Sequence, residues 1–255
     1  MSTPSEPETK QPGLPGLPSI DVNEYGGKKD GERQAMNRRL FMQLLVFDAP
    51  AGEVADEIAK DLDAQLRHNA IAGVIYADAS SPRGLGLLTW SEDPAHFVQA
   101  VRPLFTTGPL RKVVLRQPFT MLGRTYATGH EPDLEYVLLR RAVHNVMKVE
   151  YPWHVWYPLR RTGAFSRLEP QEQGAILREH ATIGFAYGQA ELAHDVRLAC
   201  HGIDAGDNEF VIGLVGRELH PLSHLVQTMR KTKQTAEFIS KMGPFFVGRV
   251  ISRQG

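Results

Sequence analysis

The chain has 255 residues, 42% of them hydrophobic and 23% charged, enough for one large domain or two small ones with a real core. Its formal net charge is zero, so neither a basic nucleic-acid groove nor a polybasic membrane surface is expected. The single cysteine, Cys200, excludes an internal disulfide framework and a Cys-based zinc site, and no run of 18 apolar residues offers a bilayer-spanning helix.

The N-terminal stretch "MSTPSEPETKQPGLPGLPS" is rich in Pro, Ser, Thr and Glu and can bury little, so residues 1–35 read as a mobile arm. It contains no apolar leader segment, which predicts a cytoplasmic chain. "RRLFMQLLVFDAP" (38–50) reads as a strand. A helix follows in which Val54, Ile58, Leu62 and Leu66 recur every four residues. "AGVIYAD" (72–78) and "GLGLLTWS" (84–91) are strands around a turn, and Pro94 opens the helix "AHFVQAVRPLF". "KVVLRQPF" (112–119) is expected to be the closing strand of an N-terminal half spanning 36–119. Residues 120–153 read as a connector with one short helix.

The second half, 154–255, repeats the order. "HVWYPLRR" (154–161) is a strand and "EPQEQGAILREHATIGFAYG" (169–188) a helix. "VRLACHGI" (196–203) and "EFVIGLVG" (209–216) are strands, "PLSHLVQTMRKTKQTAEFISKM" (221–242) is helical, and "PFFVGRVI" (244–251) is the last strand. "HFVQAVR" (96–102) and "HLVQTMR" (224–230) echo each other at the same place in each half, which favours duplication. The expected fold is therefore α+β: two ferredoxin-like β-α-β-β-α-β repeats forming a dimeric α+β barrel within one chain.

His180 shares a helix face with Ile176 and Ile183, so it points into apolar surroundings. Two readings stand at this point: a core histidine with one hydrogen bond, or an axial metal ligand. A lone imidazole is what haem iron needs, because the porphyrin supplies four ligands. No HExxH or CxxC motif is present.

Four motifs occur in order: Tyr157-Pro158 followed by basic residues, His180 with Tyr187 seven residues on, Met229-Arg230, and Gly243-Pro244-Phe245. In these the chain resembles the chlorite dismutase family, which includes the coproheme decarboxylases, over most of residues 38–252. The resemblance implies haem b or coproheme bound in the second half with His180 as the iron ligand. It implies that Tyr157 is a redox-active tyrosine. Arg161, on the same strand face as Tyr157, and Arg230 would be partners of the porphyrin propionates. The distal residue falls on Arg197 when aligned back from "HGIDAGDNEF" and on Ala193 when aligned forward from His180. Strand register favours Arg197, with His194 as a second candidate. Two departures count against a true chlorite dismutase: Phe165-Ser166 stand where the family has a Trp pair, and Thr235, with Glu237 nearby, stands where it has a carboxylate.

The first expectation is thus peroxide-dependent decarboxylation of iron-coproporphyrin III propionates to give haem b. The alternative is a chlorite dismutase converting chlorite to chloride and dioxygen, and a further one is a haem-binding protein without turnover. Hydrogen peroxide or chlorite would be the small substrate. The resemblance also implies a homo-oligomer, a homopentamer by family habit.

Overall fold

The computed structural model describes residues 17–255. The first part of the expected arm, 1–16, lies outside the described residues. The rest of it is not an arm throughout: β1 (Glu24–Lys29) and β2 (Glu32–Met36) form an antiparallel hairpin. Asp30 and Gly31 at its tip have φ of 53° and 88°, the two left-handed positions that an Asp-Gly hairpin turn requires.

In the N-terminal half, β3 (Phe41–Asp48), α1 (Ala55–His68), β4 (Gly73–Asp78) and β5 (Gly84–Ser91) follow as their periodicities predict. Ile58, Leu62 and Leu66 of α1 are buried, while Val54 stands exposed just before the first turn. The Pro94 helix is a π-helical turn (Phe97–Val101) leading into α2 (Arg102–Leu104). The closing strand expected at 112–119 shrinks to β6 (Val114–Leu115). Pro118 lacks an N–H and cannot donate to a neighbouring strand, and Gln117–Phe119 turns as a 3₁₀ segment. The place beside β3 goes instead to β7 (Met121–Thr125).

The remaining elements are α3 (Arg141–Met147), β8 (Trp153–Arg161), α4 (Gly163–Ser166), α5 (Pro170–Gln189), β9 (His194–Ala199), β10 (Phe210–Gly216), α6 (Leu219–Met229), β11 (Ile239–Met242) and β12 (Phe246–Gln254). The helix expected over 221–242 therefore ends at Met229, where the Thr232 hydroxyl donates to the Met229 carbonyl at 2.8 Å. Gln234–Phe238 forms a π-helical turn, and Ile239–Met242 pairs with β8.

The ten-stranded sheet runs β10-β9-β7-β3-β5-β4-β12-β8-β11, with β6 on β3 and a further pairing of β10 with β8. This corrects the expected fold class of two ferredoxin-like repeats forming a dimeric α+β barrel. The fold is α+β with one large sheet into which both halves feed strands. β7 stands between β3 and β9, and β12 stands between β4 and β8. The physical reason is edge pairing: the unsatisfied N–H and C=O groups at the edge of one half's strands bond to the other half.

Side-chain alternation divides the core. Met42, Leu44, Val46, Tyr76, Trp156, Val196 and Phe246 meet on one face of the sheet. On the opposite face α1 covers Phe47, Ile75, Leu85 and Leu87. In the second half α6 covers Val155, Tyr157 and Leu214 with Leu222, Leu225 and Met229. No helix of the described residues is long and apolar enough to cross a membrane.

Candidate functional site

Strand register builds the site. Ile212 of β10 pairs with Tyr157 of β8 on one side and with Arg197 of β9 on the other. Paired residues project from the same face, so Tyr157, Ile212 and Arg197 form one row. Leu214 likewise aligns Val155 with Asp195 in the next row. Tyr157 and Val155 belong to the cluster beneath α6, so both rows face the helical layer. Successive residues of β9 alternate, and His194 accordingly points the other way, stacked on Tyr151 with ring centroids 5.0 Å apart. Ala193 packs in the apolar cluster under α6.

Opposite these rows lies α5, which carries His180. Of the whole helix only Ile176 is fully buried. A Cβ built on Gly184, one turn beyond His180, would touch only the Met229 methyl at 3.6 Å. Gly184 is thus lightly packed on α5, one turn beyond His180. His180 is half-buried, and its Nδ1 is buried without a hydrogen-bond partner among the described residues. Burial first, and then the Arg197 charge, lower the His180 pKa below the ordinary value, against opposing pulls from Asp195 and Glu179. Its ring is therefore neutral and its lone pair available near pH 7.

Arg197 pairs through Nε with Asp195 at 3.0 Å, and the second oxygen of Asp195 pairs with Arg141 of α3. Burial works against the Arg197 charge, but Asp195 more than restores it. Asp195 and Arg197 keep 34% and 35% of their side-chain surface accessible, so they stand outside the packed core. Tyr157 is buried, and its ring stacks on Phe245 at 4.7 Å. Burial first, then Asp195, raise the pKa of its hydroxyl, so the phenol keeps its proton. Tyr126, just past β7, also sits here: burial raises its pKa, and Arg197 and Arg161 pull it down.

Arg161 lies between the rings of Phe165 and Phe210, 4.5 and 4.6 Å from their centroids, and its Nε meets Glu209 at 3.4 Å. Arg230 is exposed at the end of α6, has no ion pair among the described residues, and lowers the Tyr157 pKa. The structure therefore puts Tyr157 and Arg197 in one row of the sheet, with His180 near enough to Arg197 and Asp195 for their charges to act on its ring. Arg161 is paired with Glu209, and Arg230 stands exposed at the end of α6.

Sequence reasoning missed Asp195, Arg141 and Tyr126. Asp195 was within reach, because it lies two residues from Arg197 and so on the same strand face. On the far side of α5, Lys233 binds Glu172 at 3.3 Å through Nζ and Glu179 at 3.0 Å through its backbone N–H. This fixes Gln234, whose Oε1 is buried without a partner, on the segment that packs against the helix. Thr235 bonds to Thr232, and Glu237 is exposed.

Among the described residues no group of three or more His, Cys, Asp or Glu converges on a cation. A metal here needs most of its ligands from a carrier, and an iron porphyrin supplies four of them. One neutral imidazole, an opposed guanidinium and cationic side chains at the rim suit such a group with carboxylate arms.

The family model described as chlorite dismutase matches residues 87–251. No curated protein sequence matches the chain. Among solved structures, a heme-binding protein from Thermus thermophilus superposes with a TM-score of 0.66 at 17% identity, covering 84% of this chain and 92% of its own. A chlorite dismutase from Candidatus Nitrospira defluvii in complex with imidazole gives a TM-score of 0.67 at 12% identity, covering 85% and 93%. At such identities the likeness is one of fold.

Proposed function

The chain belongs to the chlorite dismutase family, and from that premise we propose that it is a haem-binding oxidoreductase with His180 as its iron ligand. The observation that carries this reading is the half-buried imidazole of His180, its Nδ1 unpartnered among the described residues, within the influence of Arg197 and Asp195 on the neighbouring strand. When bound, a haem-type iron supplies the electron exchange with oxygen-bearing substrates that the side chains cannot perform.

The protein's own part follows from the site. Burial keeps His180 neutral, as a ligand must be. Arg197 would donate to a small anion, since a fixed guanidinium is a preorganised charge. Arg230, free of an ion pair among the described residues, is the better placed partner for a propionate, since Arg161 is already held by Glu209.

The reaction best supported is conversion of chlorite to chloride and dioxygen, because the family match and the cationic Arg197 both suit a small oxyanion. An oxygen electrode tests it: haem-loaded protein should release dioxygen on addition of chlorite, and Arg197→Ala should slow release at least about tenfold, the effect of losing one charged donor. Unchanged release in that variant counts against the assignment.

A second reading, peroxide-dependent decarboxylation of coproheme, is favoured by one observation. Tyr157 is a buried, protonated phenol within the influence of the Arg230 charge, where a propionate would be held. Mass spectrometry after adding coproheme and peroxide would show stepwise loss of carbon dioxide, absent in Tyr157→Phe. Stable haem binding with neither product formed would leave a haem-binding protein without turnover. A homo-oligomer belongs to the same reading: Leu177 and Phe185 on α5 are 41% and 68% exposed, and light scattering gives the subunit number.

A further inference from the structure

We propose that Asp195, braced by Arg141, is a positioning residue that restrains the Arg197 guanidinium by an ion pair beside its Nε and so aims its N–H groups at a small anion over the strand. The inference rests on the reading of Arg197 as the residue that meets the anion.

Asp195 lies two residues before Arg197 on β9 and shares its face. Its Oδ2 stands 3.0 Å from Arg197 Nε, and its Oδ1 is taken by Arg141 Nη2. The backbone is pinned as well, since Asn145 Nδ2 of α3 donates to the Asp195 carbonyl at 2.9 Å. Both anchors come from one helix, α3. A guanidinium is planar with five N–H groups, and a carboxylate charge beside Nε restrains it while leaving the Nη groups to donate elsewhere. Without the carboxylate, Arg197 is a long side chain with several rotatable bonds, and each must be frozen again when an anion arrives.

Charge makes the arrangement testable. Asp195 is a negative group next to the proposed anion site, so by Coulomb attraction alone its removal would tighten anion binding. Loss of positioning has the opposite sign. Fluoride titrated into the ferric haem b-loaded protein and followed by its absorption spectrum separates the two. Asp195→Asn should weaken fluoride binding roughly tenfold, the scale of one charge-assisted hydrogen bond. The same change made on an Arg197→Ala background should have no weakening effect. Equal or tighter binding in Asp195→Asn overturns the proposal.

A second measurement needs neither haem nor a variant. In the ¹⁵N-labelled protein without haem, the Arg197 side-chain Nε should show a heteronuclear NOE well above that of surface arginines, because the Asp195 charge restrains the guanidinium. Motion at the surface level overturns the proposal even if Asp195→Asn does not fold. If no haem is taken up while that rigidity is present, the haem reading fails and the Asp195–Arg197 brace stands.

Discussion

A histidine can be buried for its ring or for its lone pair, and two histidines here show the difference. His154 is fully buried, hydrogen-bonded through Nδ1 to the Tyr76 hydroxyl at 2.8 Å and through Nε2 to the Tyr151 carbonyl at 3.1 Å. Both its nitrogens are used, and it is structural. His180 has a buried nitrogen with no partner among the described residues. The sequence could not separate these cases, because both lie among apolar neighbours, and only the partners distinguish them. His154 carries a pH prediction. Burial first, then the nearby Arg253, lower its pKa from 6.5 to about 3. The unfolded chain thus binds the proton more readily below pH 6.5, so stability is full above that value and is lost as pH falls toward about 3. Urea midpoints should therefore drop between about pH 7 and 4, and less steeply in His154→Gln. An equal slope in both proteins would assign the acid sensitivity elsewhere.

At the level of elements, strong periodicity was legible and special turns were not. β3, α1, β4, β5, β8 and α5 follow their apolar patterns. The hairpin β1–β2 was obscured by the Pro-rich composition around it, although Asp30-Gly31 carried a turn signal. The end of α6 was overrun because "RKTKQTAEFISKM" is polar enough for a helix surface, whereas the helix stops at Met229, whose carbonyl accepts from the Thr232 hydroxyl, and Ile239–Met242 pairs with β8. Two glycines give predictions at this scale. Gly213 of β10 lies against Trp156, where a Cβ would come within 2.6 Å of the buried indole. Gly213→Ala should cost about 1–3 kcal/mol in a denaturation curve, the usual cost of overpacking a core. Gly184 on α5 has space beside it instead. Gly184→Phe should leave the melting temperature of the haem-free protein nearly unchanged while sharply reducing porphyrin uptake. Loss of both together would mean that the space belongs to the core.

For the whole molecule, the local order of strands and helices was legible, but the pairing between halves was not. That pairing depends on contacts far apart in sequence, such as Arg124 with Ala199 and Ala77 with Arg249, which no local pattern records. Its consequence is cooperativity. With β7 between β3 and β9, and β12 between β4 and β8, neither half keeps a complete sheet alone. Unfolding of the haem-free protein should be a single transition by both circular dichroism and tryptophan fluorescence, and separated halves should not fold. Two resolved transitions would show that the halves are independent. The same interleaving sets β8, β10 and β9 side by side, and so aligns Tyr157 and Arg197 opposite α5. The most direct test of the account is a titration of ferric haem b into the wild-type chain and into His180→Ala, followed in the Soret region. The account predicts saturable binding with a histidine-ligated spectrum in the wild type, and weakened binding with that ligation signature lost in the variant. The same affinity and the same spectrum in both would contradict it.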